Sequence, residues 1–161
     1  MGHLRALEWP VWELPVLDAA ESTCVHQFVD TSERLLAALN DSLVHAHGLT
    51  LFEVLVLDRL ASSETGSARM RDLAKAFALA PSRVTSLIDR LEAQSLVGRR
   101  PLPGDRRAVL AHITAEGRKR FAPAVVTYAR GIRAYYLDQL SRQQAIALGD
   151  VCRRTGLPER Y

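Results

Sequence analysis

The sequence contains few cysteines, few lysines and few aromatic residues. Two cysteines among 161 residues are too few for a disulfide framework, so we expect a reduced, cytoplasmic protein. No apolar run approaches the ~18 residues of a membrane span. The N-terminus also lacks the pattern of a signal peptide. With 48% hydrophobic and 24% charged residues, the chain is typical of one globular domain without a membrane segment.

Motifs of several enzyme classes are also missing. The sequence has no Gly-rich phosphate loop, no H-E-x-x-H and no G-x-S-x-G. His45 and His47 are two residues apart and would point to different sides of a helix, which does not suit a shared metal ion. We therefore expect neither an enzyme nor a bound cofactor or metal.

Charge is distributed unevenly along the chain. Residues 1–60 hold nine acidic residues against three arginines, whereas residues 83–120 hold nine basic residues against four acidic ones. A basic block of this kind indicates a polyanionic partner. A solvated surface with uneven charge is the alternative.

Capping patterns predict two helices in the first part of the chain. Asp18 and Glu21 form an acidic capping pair for a long helix that ends near Gly48. Thr50 and Glu53 then make a capping box for a second helix.

The centre of the chain predicts a helix-turn-helix followed by a β-hairpin. A short helix around 72–77 precedes a helix from Pro81 to about Gln94. The hairpin has strands at 96–100 and 108–113. Its turn is followed by Arg106 and Arg107, which we place at the tip. Residues 62–67 read as a loop.

Two further helices are predicted near the C-terminus. Thr114 can cap a long helix that runs to about Leu140. Ser141 and Gln144 can cap a last helix that ends near Gly156.

Three stretches of the central region share a known family pattern: LTLFEVLVLDRLA (49–61), MRDLAKAFALAPSRVTSLIDRLEAQSLVGRR (70–100) and PGDRRAVLAHITAEGRKR (103–120). Through these stretches the chain resembles the multiple antibiotic resistance regulator (MarR) family of bacterial transcription factors. The resemblance implies a homodimeric repressor that grips a palindromic double-stranded DNA operator. It also implies release from DNA by a small ligand or an oxidant, and we expect a small aromatic or lipophilic effector.

The fold implied is mainly α, with a small β-hairpin wing. It is a winged helix-turn-helix flanked by long N- and C-terminal dimerisation helices. The whole chain, 1–161, forms one domain of this type in three parts. These are an N-terminal segment with a dimerisation helix (1–48), the DNA-binding lobe (49–120) and C-terminal dimerisation helices (121–161).

The resemblance assigns DNA contacts to the second helix of the pair, the recognition helix, and to the wing. The candidate DNA-binding residues are Ser82, Arg83, Thr85, Ser86, Arg90, Asp105, Arg106 and Arg107. Arg107 would enter the minor groove, oriented by Asp105, while Arg90 and Arg106 would contact phosphates. In the alternative interpretation, Thr85 and Ser86 are ordinary surface residues. Arg90 then pairs with nearby acidic residues.

The sequence departs from the family pattern at three positions. Ala80 stands where a capping Ser or Thr is usual, so we expect Ser82 to substitute in part. Arg71 occupies another position where a capping hydroxyl is common, and Ser95 replaces a frequent Gly.

Other residues leave alternatives open. Cys24 is predicted to be a small packing residue, and a redox-sensing regulator acting through Cys24 is the alternative. Trp9 and Trp12 are expected to pack on a partner subunit, or else to line a ligand pocket. A winged helix can also be a protein-interaction module that binds no DNA.

Overall fold

The computed structural model describes residues 15–102 and 104–155, with the backbone alone at 105–107. The chain divides into two compact units, Met1–Arg34 and Leu35–Tyr161. None of the helices in the described ranges is both long and apolar enough to cross a membrane. The elements in chain order are α1 (Ala19–His47), α2 (Leu51–Ala61), β1 (Ser67–Arg69), α3 (Met70–Ala76), α4 (Pro81–Ala93), β2 (Val97–Leu102), β3 (Asp105–Ile113), α5 (Ala115–Tyr135), a 3-10 turn (Leu137–Gln139) and α6 (Arg142–Arg154).

Both ends of α1 follow the sequence prediction. Asp18 Oδ1 accepts hydrogen bonds from the backbone N–H groups of Ala20 and Glu21, at 2.8 and 2.9 Å. Glu21 Oε2 accepts in turn from the backbone N–H of Asp18 at 2.9 Å, which completes the capping pair. At the other end, Gly48 has φ +65°, a left-handed conformation that glycine adopts without strain.

The start of α2 is held by the predicted capping box. The backbone N–H of Thr50 donates to Glu53 Oε2 at 2.7 Å, and the backbone N–H of Glu53 donates to Thr50 Oγ1 at 3.4 Å. Asn40 on α1 adds a further bond, since its Oδ1 accepts from the backbone N–H of Leu51 at 3.1 Å. These bonds fix the N-terminus of α2 in place.

A three-stranded antiparallel sheet replaces the predicted two-stranded hairpin. Its order is β1-β3-β2, with Ser67 opposite His112 and Val97 opposite Ile113. The prediction of a loop over 62–67 is therefore wrong at Ser67. Strand β1 has three residues, too few to show an alternating pattern. It forms because its backbone pairs with the edge of β3.

The core lies between α2, α3, α4 and the sheet, and it also includes Leu39 and Leu43 of α1 and Ala124 of α5. Its fully buried side chains come from every one of these elements. They include Leu49, Leu57, Leu60, Leu73, Val84, Ile88, Leu91, Leu96, Val97 and Ala111.

Helix α5 packs closely on the part of α1 that belongs to the second unit. A Cβ atom at Gly131 would lie 2.7 Å from Leu39 Cδ2, so any larger residue would require the Leu39 side chain to shift. His47 Nε2 lies 2.7 Å from Thr127 Oγ1. Arg120 Nη2 donates to the carbonyl oxygen of His47 at 2.8 Å and so caps the end of α1.

One of the two C-terminal helices, α5, is shorter than predicted. Helix α5 ends at Tyr135 and not near Leu140, because Tyr136 leaves the helical region with φ −135° and a 3-10 turn follows. Ser141 and Gln144 form the predicted capping box of α6. The predicted end of this helix, near residue 156, lies outside the described residues.

Candidate nucleic-acid interface

Helix α4 buries one face and exposes the other. Val84, Ile88 and Leu91 are at most 1% exposed and anchor the helix in the core. The candidate residues Ser82, Arg83, Thr85, Ser86 and Arg90 are all exposed. A helix held in this way presents a fixed polar surface to solvent.

The N-terminus of α4 carries no side-chain cap. Ala80 is the N-cap, with extended backbone angles of φ −59° and ψ 141°, and Pro81 follows as the first helical residue. Ser82 does not replace the missing cap, so that prediction is wrong. Ser82 is already inside the first turn, and a cap requires the position before the helix.

Two other departures from the family pattern have different outcomes. The N-cap of α3 is Arg69, without a side-chain hydrogen bond. Arg71 therefore lies inside the helix and does not occupy its capping position, contrary to the expectation. Ser95 has φ +60°, a conformation that favours glycine, which explains why a glycine would suit this position.

The hydroxyl groups of α4 are bonded within the helix. Thr85 Oγ1 donates to the carbonyl oxygen of Pro81 at 3.0 Å, and Ser86 Oγ donates to that of Ser82 at 3.1 Å. Each hydroxyl thus keeps its lone pairs for an external donor. To donate to an external acceptor, it would have to rotate first.

Helix α2 holds the two arginines on one edge of the exposed face. Arg83 Cζ lies 5.6 Å from the ring centroid of Phe52, a cation–π contact. Arg90 Nε lies 3.1 Å from Glu53 Oε1, and the Glu53 side chain is fully buried. Arg83 and Arg90 are seven residues apart, about two helical turns, and therefore lie on the same side of α4. Their partners, Phe52 and Glu53, are consecutive residues of α2.

Strand β2 holds the opposite edge of the same face. Arg99 Nη2 donates to Asp89 Oδ1 at 2.5 Å, and Arg99 Nη1 donates to Glu92. Nη2 also lies 3.4 Å from the carbonyl oxygen of Thr85. Burial, the largest single influence, lowers the pKa of Arg99, but the hydrogen bonds and charges of Asp89 and Glu92 together raise it above the usual value. Arg99 stays charged and neutralises two acids beside the exposed face.

The predicted wing residues lie at the start of β3. The turn before them contains Gly104 at φ +84°. Pro101 pairs with Val109 whereas Leu102 pairs with Asp105, so the register shifts across the segment that contains Arg106 and Arg107. Asp105, Arg106 and Arg107 therefore lie next to the turn, as predicted, but inside β3, whereas the sequence predicted a strand only from residue 108. Strand β2 likewise extends to Leu102, beyond its predicted end at residue 100.

The remaining candidate residues do not form a second site. Cys24 is an exposed free thiol, so the prediction that it packs is wrong within one protomer. Among the described residues, no group of three His, Cys, Asp or Glu side chains could hold a metal ion. Trp9 and Trp12 lie outside the described residues.

Sequence reasoning missed the residues that support the exposed face. Glu53 was recognised as a capping residue, but its bond to Arg90 joins elements that are 37 positions apart in sequence. Phe52 and Arg99 carried no local signal, because their partners are likewise on other elements. The one signal in the sequence was opposite charge, since Arg99 is basic and its partners on α4, Asp89 and Glu92, are acidic.

Comparison with known proteins matches this region to a family model described as the MarR family, over residues 49–109. This match covers the winged region, less than half of the chain. MarR-family structures also share its fold. The structure of Sco3205 from Streptomyces coelicolor, a MarR family transcriptional regulator in complex with DNA, has a TM-score of 0.83 and 27% identity, and the match covers 88% of each chain.

Two Bacillus subtilis transcriptional regulators are similar in sequence to this chain. The regulator MhqR is 32% identical over 52% of this chain and 59% of its own length. The transcriptional repressor MdtR is 31% identical over 62% of this chain and 62% of its own length. The matched stretch thus spans less than two thirds of either relative.

Proposed function

We propose that this protein is a sequence-specific, DNA-binding transcription regulator of the MarR family that acts as a homodimer. The observation that carries the proposal is the exposed polar face of α4, anchored in the core and bordered by Arg83 and Arg90. The major groove of B-DNA is wide enough for one α-helix. A relative with 27% identity has been crystallised with DNA, which supports the same role here.

In this proposal the recognition helix contacts the major groove and the wing contacts the minor groove. Ser82, Arg83, Thr85 and Ser86 face bases or phosphates in the major groove. Arg107, with Asp105 beside it, enters the adjacent minor groove, where narrow A·T-rich tracts attract arginine. Arg106 contacts phosphate, and residues 49–120 form the DNA-binding lobe.

A second copy of the chain is the proposed partner of the C-terminal helices. Helix α6 has no buried residue in the protomer. Val151 is 52% exposed and lies on one stripe with Leu148 and Cys152, at helical spacing. A two-fold dimer would place its recognition helices about 34–36 Å apart, one turn of DNA. We assign residues 1–48 and 121–161 to this dimerisation.

We further propose that the protein is a repressor released by a small aromatic or lipophilic effector. MdtR, which is 31% identical over 62% of this chain, is named a transcriptional repressor. An effector that binds between the dimerisation helices and the winged lobes would change the distance between the two recognition helices.

Selection of bound fragments from random duplex DNA, followed by two arginine variants, tests the DNA-binding role. Arg83→Ala should reduce the difference in binding affinity between operator and random DNA, because a lost bidentate base contact costs ~1–3 kcal/mol at one position. Arg107→Ala should weaken binding to all sequences and reduce the salt slope by about one counterion, since minor-groove readout is degenerate.

Unchanged DNA binding in these variants would contradict the proposed DNA-binding role. If both variants remain folded dimers and bind DNA as the wild type does, α4 does not enter a groove. Weak retention on heparin without salt dependence would favour the protein-interaction module.

A further inference from the structure

The ring of Phe52 is placed where it can restrict the motion of Arg83. Phe52 is half-buried on α2, between the fully buried Glu53 and the core residue Leu51. The capping box fixes this end of the helix. The ring is therefore part of a rigid element, and its contact with Arg83 spans 31 positions of sequence.

Arg83 depends on this contact for its orientation. Its side chain is exposed, and it donates no hydrogen bond to any residue within the described ranges. A free arginine side chain samples many rotamers, and these must be lost when it binds a base. A ring beside the cation reduces that freedom before DNA arrives.

The contact leaves the hydrogen-bonding groups of Arg83 unused. A cation–π interaction acts on the charge of the guanidinium and takes up no N–H donor. All five donors stay available for the O6 and N7 atoms of a guanine, the commonest bidentate partner of arginine. Arg90 differs, because its guanidinium already forms an ion pair with the buried carboxylate of Glu53.

We infer that Phe52 is a positioning residue that presents Arg83 to a base edge, and so sets part of the operator preference. The inference rests on the proposed DNA-binding function and names a residue outside the recognition helix. Phe52 does not contact DNA in this account and acts through Arg83.

Three variants of the full-length protein test the inference: Phe52→Leu, Phe52→Tyr and Arg83→Ala, with Phe52→Leu also made in the Arg83→Ala background. For each we would measure the affinity for the selected operator and for a random duplex of equal length, at one salt concentration. Thermal unfolding and the salt slope are recorded for the same variants. The NMR order parameter of the Arg83 Nε–H group reports its mobility without DNA.

Phe52→Leu should lower the ratio of operator to random affinity about two- to fivefold, the range expected for an exposed cation–π contact. Phe52→Tyr should retain the wild-type ratio, because the ring is kept. The salt slope should not change, because no charge is removed. The Arg83 order parameter should fall in Phe52→Leu, and Phe52→Leu should have no further effect once Arg83 is alanine.

An unchanged ratio in Phe52→Leu overturns the inference. So does an equal loss in the Arg83→Ala background, or a loss that tracks a lower unfolding temperature and is not restored by tyrosine. A wild-type protein that selects no DNA overturns the proposed function first, and this inference with it.

Discussion

Apolar residues are buried in the winged region but remain at least partly exposed in helix α6. In the winged region, Leu57, Leu73 and Ile88 are completely buried within one chain. In α6 no residue is buried, and Val151 is half exposed although it lies on an apolar stripe. The winged region therefore has a finished core, while α6 has a surface that a second copy of the chain can cover.

This difference separates two kinds of stability. Burial inside the winged region contributes to the free energy of unfolding of one chain at any protein concentration. Burial of α6 against a second copy, as in the proposed dimer, would contribute more at higher protein concentration, because mass action favours the dimer there. A substitution in α6 should therefore change the free energy of unfolding by an amount that depends on protein concentration. A substitution in the winged region should change it by the same amount at every concentration.

The largest effect is expected on α6. Val151→Asp should raise the dissociation constant of the dimer about 100-fold or more, because each dimer would bury two carboxylates without partners. Sedimentation equilibrium measures this constant. Gln143→Asp, which makes the same change of charge at an exposed position of α6, is the control. A dimer of wild-type strength in Val151→Asp would remove α6 from the interface.

A smaller effect is expected where α4 meets α2. Arg90→Ala should lower the free energy of unfolding by about 1–3 kcal/mol, because the buried carboxylate of Glu53 loses its cationic partner. Urea unfolding at several protein concentrations should show the same loss each time.

Arg83→Ala is the matched control for Arg90→Ala. It removes an arginine from the same edge of α4, and we expect a loss of about 0.5–1 kcal/mol, the size of an exposed cation–π contact. In a Glu53→Gln background the cost of Arg90→Ala should shrink. If both arginines cost the same in every background, Arg90 is a surface residue without a structural role.

The missing cap of α4 gives a change of opposite sign. Ala80→Ser should stabilise the protein by about 0.5–1 kcal/mol, since its backbone is already extended and a hydroxyl there can accept from the first turn. Ala80→Asp should stabilise similarly but weaken DNA binding by adding a negative charge. Urea unfolding and DNA titration separate the two effects, and an unstable Ala80→Ser would show that the turn resists a cap.

The smallest effect is expected at Cys24, in the first unit. Cys24→Ser should leave stability and DNA binding nearly unchanged, because the thiol is exposed in the protomer. The decisive measurement is DNA binding before and after peroxide treatment. Loss of binding in the wild type but not in Cys24→Ser would make this a redox-sensing regulator.

Local signals in the sequence predicted the helix boundaries well. Capping residues such as Thr50 and Ser141 act within three positions, so their bonds can be read from spacing alone. Strand β1 was missed because its three residues form a strand only through pairing with β3. The early end of α5 was missed because no glycine or proline follows Tyr135, so the change of backbone angles at Tyr136 has no signal in the sequence.

The candidate interface shows the same division. The exposed positions of α4 follow from helical spacing around Val84 and Ile88, which are buried in the structure. The ion-pair partners of Arg90 and Arg99 lie on other elements, since Glu53 is on α2 and Asp89 is on α4. One sequence read alone gives charge and periodicity, but not which charges meet in the fold.

The bonds at the two edges of α4 leave its middle free to change. Ser82 and Ser86 lie between the edges, and within the described ranges their side chains bond to nothing outside α4 itself. An exchange at these two positions alters what the helix offers to DNA and leaves the bonds of Arg90 and Arg99 intact. A descendant of this protein could thus acquire a different operator through one or two substitutions, without first becoming less stable.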